Sequence, residues 1–92
     1  MNKTDFQIDI INRIRQLRTE NDISQIKLAN IIDVSTGQIG NIESPKFQHK
    51  YTLKQLYQIS KFFNVPIDYI LTGTNHLLNT EDIIQALIKY DE

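Results

Sequence analysis

Cysteine is absent from this 92-residue chain, which excludes both a disulfide framework and a cysteine-based zinc site. Histidine is scarce. His49 and His76 fall in stretches that read as loops, far from each other and without a recognisable acid or nucleophile partner. General acid–base catalysis and a metal centre both need more convergent side chains than that. Of the three glycines, Gly37 and Gly40 precede no lysine-serine or lysine-threonine pair, so no phosphate-binding loop is present. The chain also lacks a long hydrophobic run. Its amino terminus, "MNKTDFQIDIINRIRQL", alternates charged and apolar residues, so neither a signal peptide nor a membrane span is expected. The expectation is a cytoplasmic protein that is no enzyme and carries no metal or cofactor.

What is present suits one small soluble domain. Hydrophobic residues make up 40% and charged residues 23% of the chain, and this length is near the lower end of what supports its own core. The net charge of −1 is unevenly spread. Residues 24–54 hold Lys27, Lys46, Lys50 and Lys54 against Asp33 and Glu43, whereas residues 55–92 hold Lys61 and Lys89 against Asp68, Glu81, Asp82, Asp91 and Glu92. A positive face in the middle of the chain is the simplest reading; its competitor is ordinary solvated surface.

The pattern is helical throughout. "TDFQ" has the capping-box form, a threonine followed three residues later by glutamine, and predicts a first helix starting near Thr4. Phe6, Ile10, Ile11, Ile14 and Leu17 recur at helical spacing along it. Ser24 caps a predicted second helix, 25–33, with Leu28, Ala29 and Ile32 inward, and Ser35 caps a third, 36–43, with Ile39 and Ile42 inward. Pro45 and the loss of apolar periodicity mark a loop. A fourth helix is predicted from about Thr52 to Asn64, with Leu53, Leu56, Ile59 and Phe63 inward. Pro66 opens a short fifth, which Gly73 closes. The last, about 80–91, is capped by Asn79 or Thr80 and carries Ile83, Ile84, Leu87 and Ile88. The fold class is all-α. Two glycines inside "STGQIGN" are the anomaly, each costing a helix roughly 1 kcal/mol relative to alanine.

Two short helices joined by a tight turn suggest a helix-turn-helix. "ISQIKLANIIDVSTGQIGNIES" resembles the core of the phage-repressor and Cro-like (Xre) helix-turn-helix family. The shared features are Ser24-Gln25, Leu28-Ala29, Val34-Ser35, and Ile39 followed by Ile42-Glu43. "TLKQLYQISKFFNVPIDYILTG" is similar to the family's fourth and fifth helices. The resemblance covers roughly residues 8–73. It implies a five-helix lambda-repressor-like domain over residues 1–75, followed at 76–92 by a short linker and an additional C-terminal helix, a candidate dimerisation element. It also implies that Arg18 pairs with Glu43 to fix the third helix, with Ala29, Ile39 and Ile42 packing beneath it.

The resemblance further implies double-stranded DNA as partner and transcription regulation, as a repressor acting as a homodimer, as the function. Thr36, Gly37, Gln38 and Asn41 would then face the bases, and Gln25, Ser35, Ser44, Lys46, Lys50 and Tyr51, with His49 beside them, would reach phosphates. No arginine or lysine lies in residues 36–43, so the commonest guanine contact is missing and an A·T-biased half-site is expected. Gly37 and Pro45 depart from the family, which more often has a long polar side chain at the first position and glycine at the second. A protein-interaction module, or the antitoxin of a toxin–antitoxin pair, is the alternative, suggested by Ile26, Ile31, Tyr57, Phe62 and Tyr69 in excess of one core face. The last helix would pack on its own domain or on a twin subunit, the second being preferred.

Overall fold

The computed structural model describes residues 2–92. Six helices and no strand occur among them: α1 (Asp5–Glu20), α2 (Gln25–Ile31), α3 (Thr36–Glu43), α4 (Leu53–Phe63), α5 (Ile67–Thr72) and α6 (Thr80–Asp91). Each start has a local cause. Thr4 and Thr52 form capping boxes with Gln7 and Gln55, while Ser24, Ser35 and Asn79 accept from the backbone N–H three residues on. Such caps satisfy amides that the helix leaves without partners.

The ends are equally local. Asp22, Asp33 and Asn64 take left-handed backbone conformations, with φ of 55, 59 and 54°. Asp33 is why α2 stops at Ile31 rather than at residue 33, as its apolar pattern suggested. Its turn lets the Val34 N–H reach back to the Ala29 carbonyl at 2.9 Å, closing the helix end. Gly73 ends α5 at φ 76°; a Cβ there would also sit 2.7 Å from Arg13 Nε, so glycine is required twice over.

The core is one cluster. Ile10, Ile11 and Ile14 of α1 meet Leu28, Ala29, Ile39, Ile42, Leu56, Ile59, Ile70 and Leu71. α1 packs on α3, α5 and α6; α2 packs on α3 and α4. Burying each Ile or Leu contributes about 1.5–3 kcal/mol, which holds helices too short to persist alone. Leu53, expected inward, is partly exposed in the first turn of α4.

α6 closes on α1 and α5, and the residue that docks it is Tyr90. Tyr90 is fully buried, and its hydroxyl donates to the Tyr51 carbonyl at 2.8 Å. Its carbonyl accepts from Gln7 Nε2 at 2.7 Å and Lys50 Nζ at 3.1 Å. Ile83 and Leu87 pack partly against the core, whereas Ile84 and Ile88 stay exposed. The connection into α6 is pinned by Leu78, whose N–H donates to Asp68 Oδ2 at 2.6 Å.

Candidate nucleic-acid interface

α2 and α3 form a rigid unit. Ala29 is 1% exposed and Leu28, Ile39 and Ile42 are fully buried; the small side chain at 29 helps the two helices pack closely. Counting ~100° per residue, Ile39 and Ile42 mark the inward side of α3, and Gly37 lies roughly opposite them. Thr36 and Gly37 are exposed, while Gln38, Asn41 and Ser44 are half-buried. The middle of the outward face is therefore a glycine, flanked by Thr36, Asn41 and Ser44, with Gln38 at one edge.

Nothing lies within 4 Å of a Cβ built on Gly37, and only Gln25 Oε1, at 4.0 Å, approaches one on Gly40. Neither glycine has positive φ. The fold itself thus demands glycine at neither position, and the propensity cost remains uncompensated by any steric or conformational need within the domain.

A buried ion pair sets the orientation of α3. Arg18 Nε and Nη2 donate to the two Glu43 carboxylate oxygens at 2.8 and 2.9 Å, and Nη1 donates to the Ile23 carbonyl at 2.9 Å. Both residues are 9% exposed. Gln25 Nε2 donates to the same carboxylate at 2.9 Å, and Arg15 Nε lies 3.8 Å from it. Bidentate geometry fixes direction as well as distance, so α1, α2 and the end of α3 are locked together. Gln25, implied as a phosphate contact, has its amide nitrogen engaged by Glu43.

The loop after α3 divides into an outward and an inward half. Ser44 Oγ accepts from the Lys46 N–H at 3.2 Å. Lys46, Phe47, Gln48 and His49 are exposed, and Phe47 and His49 meet edge to face, their centroids 6.0 Å apart. Lys50 turns to α6, where its Nζ sits 5.3 Å from the Tyr90 ring centroid. Tyr51 corrects the sequence reading. It is fully enclosed in the core, where an aromatic ring gains more from apolar contact than its hydroxyl gains from solvent, so it cannot touch a phosphate. That hydroxyl has no hydrogen-bond partner. Burial first, and the Glu43 carboxylate second, push it well above the ordinary phenol range.

Two nearby cations escaped the sequence reading. Arg15 lies one helical turn before Arg18, a spacing that could have revealed it, and its side chain is 58% exposed. Lys3 sits at the end of α3, where no local pattern would place it. Among the described residues, no group of three or more His, Cys, Asp or Glu could hold a metal ion, and no helix is long and apolar enough to cross a membrane.

A family model described as a helix-turn-helix domain matches residues 11–76. The match begins inside α1 and runs past α5, leaving α6 outside it. No curated protein and no solved structure matched the chain.

Proposed function

The chain belongs to the helix-turn-helix domain family of the Xre-like, DNA-binding type, and on that premise we propose that it is a sequence-specific transcriptional repressor. It works in the cytoplasm as a homodimer on an inverted repeat, without a catalytic step or cofactor. α3 enters the major groove with Thr36, Gln38 and Asn41 toward the bases and the Gly37 backbone close to them. Gln38 and Asn41 suit adenine, and the Thr36 methyl suits thymine. Ser35, Ser44 and Lys46 hold phosphates, with Lys50 reaching them only by leaving Tyr90, and Gln25 only through its second N–H or by giving up Glu43. The observation that carries this reading is the locked α2–α3 unit, its outward face clear of the rest of the domain.

Dimerisation follows from the small number of bases that one short helix reads. Ile84 and Ile88 on α6, 44% and 50% exposed, are the surface on which a twin subunit would pack. A second reading has its own support: Ile26, Tyr57 and Phe62 are also exposed, at 61%, 59% and 41%. Such side chains fit a protein-interaction module or an antitoxin held by its toxin.

Selection from random duplexes, followed by binding across a salt series, separates the readings. An enriched A·T-biased inverted repeat is the expected result, with log affinity falling about 0.9 per phosphate contact per log unit of salt. Equal affinity for every duplex would replace specific recognition with the interaction-module reading.

A further inference from the structure

Helix α3 is the element that reads DNA in the proposed function, yet its carboxyl end lacks the backbone closure of most of the others; α6 likewise is met by side chains from elsewhere, at the Tyr90 carbonyl. α1, α2, α4 and α5 each close with a cap-residue N–H donated back into the helix. α3 ends at Ser44 in an extended conformation, with no such bond and no basic residue in its last turn. Pro45 follows, and it has no N–H to offer. The last carbonyls of α3 would be orphaned.

Lys3 fills that gap from the far end of the chain. Its Nζ donates to the Ile42 carbonyl at 2.5 Å and to the Ser44 carbonyl at 2.8 Å, 39 and 41 residues away in sequence. Lys3 is 8% exposed, and burial lowers its pKa from the ordinary lysine value. A lysine accepts such burial only where strong acceptors meet it. Here they are carbonyls at the negative end of a helix, where a cation is favoured. Beside it lies a hollow of about 220 Å³, walled by Ile8, Ile11 and Asn12 of α1 and by Pro45. α1 and the end of α3 are therefore not packed flush there, and the Lys3 side chain reaches the α3 end from the arm that leads into α1.

We propose that Lys3 is a positioning residue for DNA recognition, a cap supplied by the amino-terminal arm that fixes the end of α3 and the start of the Ser44–Lys46 phosphate loop. With Arg18 holding the Glu43 side chain and Lys3 the neighbouring backbone, the end of α3 is fastened at two points. This rests on the DNA-binding reading, and it differs from a direct phosphate contact because Nζ is already committed inward.

The test compares wild type, Lys3→Met, Lys3→Gln and Lys3→Arg in the full chain, measuring amide exchange in residues 40–43 without DNA and affinity for the selected and an unrelated duplex across salt. Lys3→Met should speed exchange at the end of α3 and weaken the selected duplex roughly tenfold, leaving the unrelated duplex and the salt slope unchanged. Lys3→Gln, with one donor nitrogen, should fall between and serves if Lys3→Met does not fold. Lys3→Arg should restore selectivity, since the hollow has room for a guanidinium. Equal loss on both duplexes with a slope reduced by about 0.9 would make Lys3 a phosphate contact and overturn the proposal. Unchanged exchange and selectivity would overturn it as well. If the wild type itself selects no duplex, the DNA-binding reading has failed, and the exchange rates still decide whether Lys3 caps α3.

Discussion

Arg18 and Glu43, 25 residues apart, share two hydrogen bonds of 2.8 and 2.9 Å inside the domain. Removing one partner strands a buried charge, a loss of about 3–5 kcal/mol. Arg18→Met should cost that much in denaturant unfolding. Arg18→Met with Glu43→Leu should recover most of it, because apolar replacements of a buried pair are often neutral. The double variant should nevertheless bind its selected duplex less selectively, since nothing then fixes the direction of α3. Full stability with full selectivity would show the pair to be dispensable for recognition.

Tyr51 offers the opposite case, a buried hydroxyl with no partner. Tyr51→Phe should leave the protein as stable, or up to about 1 kcal/mol more stable, at neutral pH. A loss of more than 1 kcal/mol would mean that the hydroxyl is bonded in solution.

The same tyrosine, with Tyr90, controls the alkaline limb. Both phenols have raised pKa values, chiefly through burial, so the folded chain keeps their protons to higher pH than the unfolded chain. Their contribution is complete below about pH 10, the unfolded value, and is lost as pH rises toward the raised folded values. Lys3, with its lowered pKa, acts in the opposite sense, because the unfolded chain binds its proton more tightly. Two phenols outweigh one amine, so stability should fall above pH 10. Tyr51→Phe should make that fall shallower; an identical alkaline profile would contradict the burial argument.

Gly37→Ala separates folding from binding. With open space around its Cβ, alanine should raise stability by up to about 1 kcal/mol. If the α3 backbone is seated against the bases, the same methyl should weaken the selected duplex. A variant that melts higher and binds equally well would move Gly37 away from the DNA.

Ile84→Glu and Ile88→Glu test the dimer without disturbing Tyr90, which docks α6. Sedimentation should show a shift from dimer to monomer, the helical content below the melting transition should stay that of wild type, and Tm should lose its dependence on protein concentration. An unchanged dimer would place the interface elsewhere, with Tyr57 and Phe62 as the next exposed candidates.

Most helix starts were legible because their causes are three residues wide. Thr4, Ser24 and Ser35 announce themselves as caps, Asn79 does so with Thr80 as its rival, and Thr52 marks the start of its helix; each bonds the amide three positions on. Ile39 and Ile42 were equally plain from their spacing. The left-handed turn at Asp33 was not, because aspartate is a less common occupant of that conformation than glycine. Contacts across long separations were the least legible. Tyr90 meets Gln7 across 83 residues, and Lys3 meets Ile42 across 39. The Tyr51 error has the same origin: beside lysines and histidine it looks like surface, and the core residues that enclose it come from distant parts of the chain. Arg18 with Glu43 is the exception, carried by family resemblance rather than by local pattern.

The vacancy at Gly37 also bears on how this protein could change. If α3 reads DNA as proposed, the outermost point of the reading helix carries no side chain, and a Cβ there would meet nothing within 4 Å. A glycine codon of the GGN type lies one nucleotide from arginine, the side chain that α3 lacks and that pairs best with guanine. Retargeting would then cost no rearrangement of the scaffold, and the helix would gain propensity in the same step. On the proposed reading, such a regulator keeps an evolutionary option open at the centre of the surface it would lay against DNA.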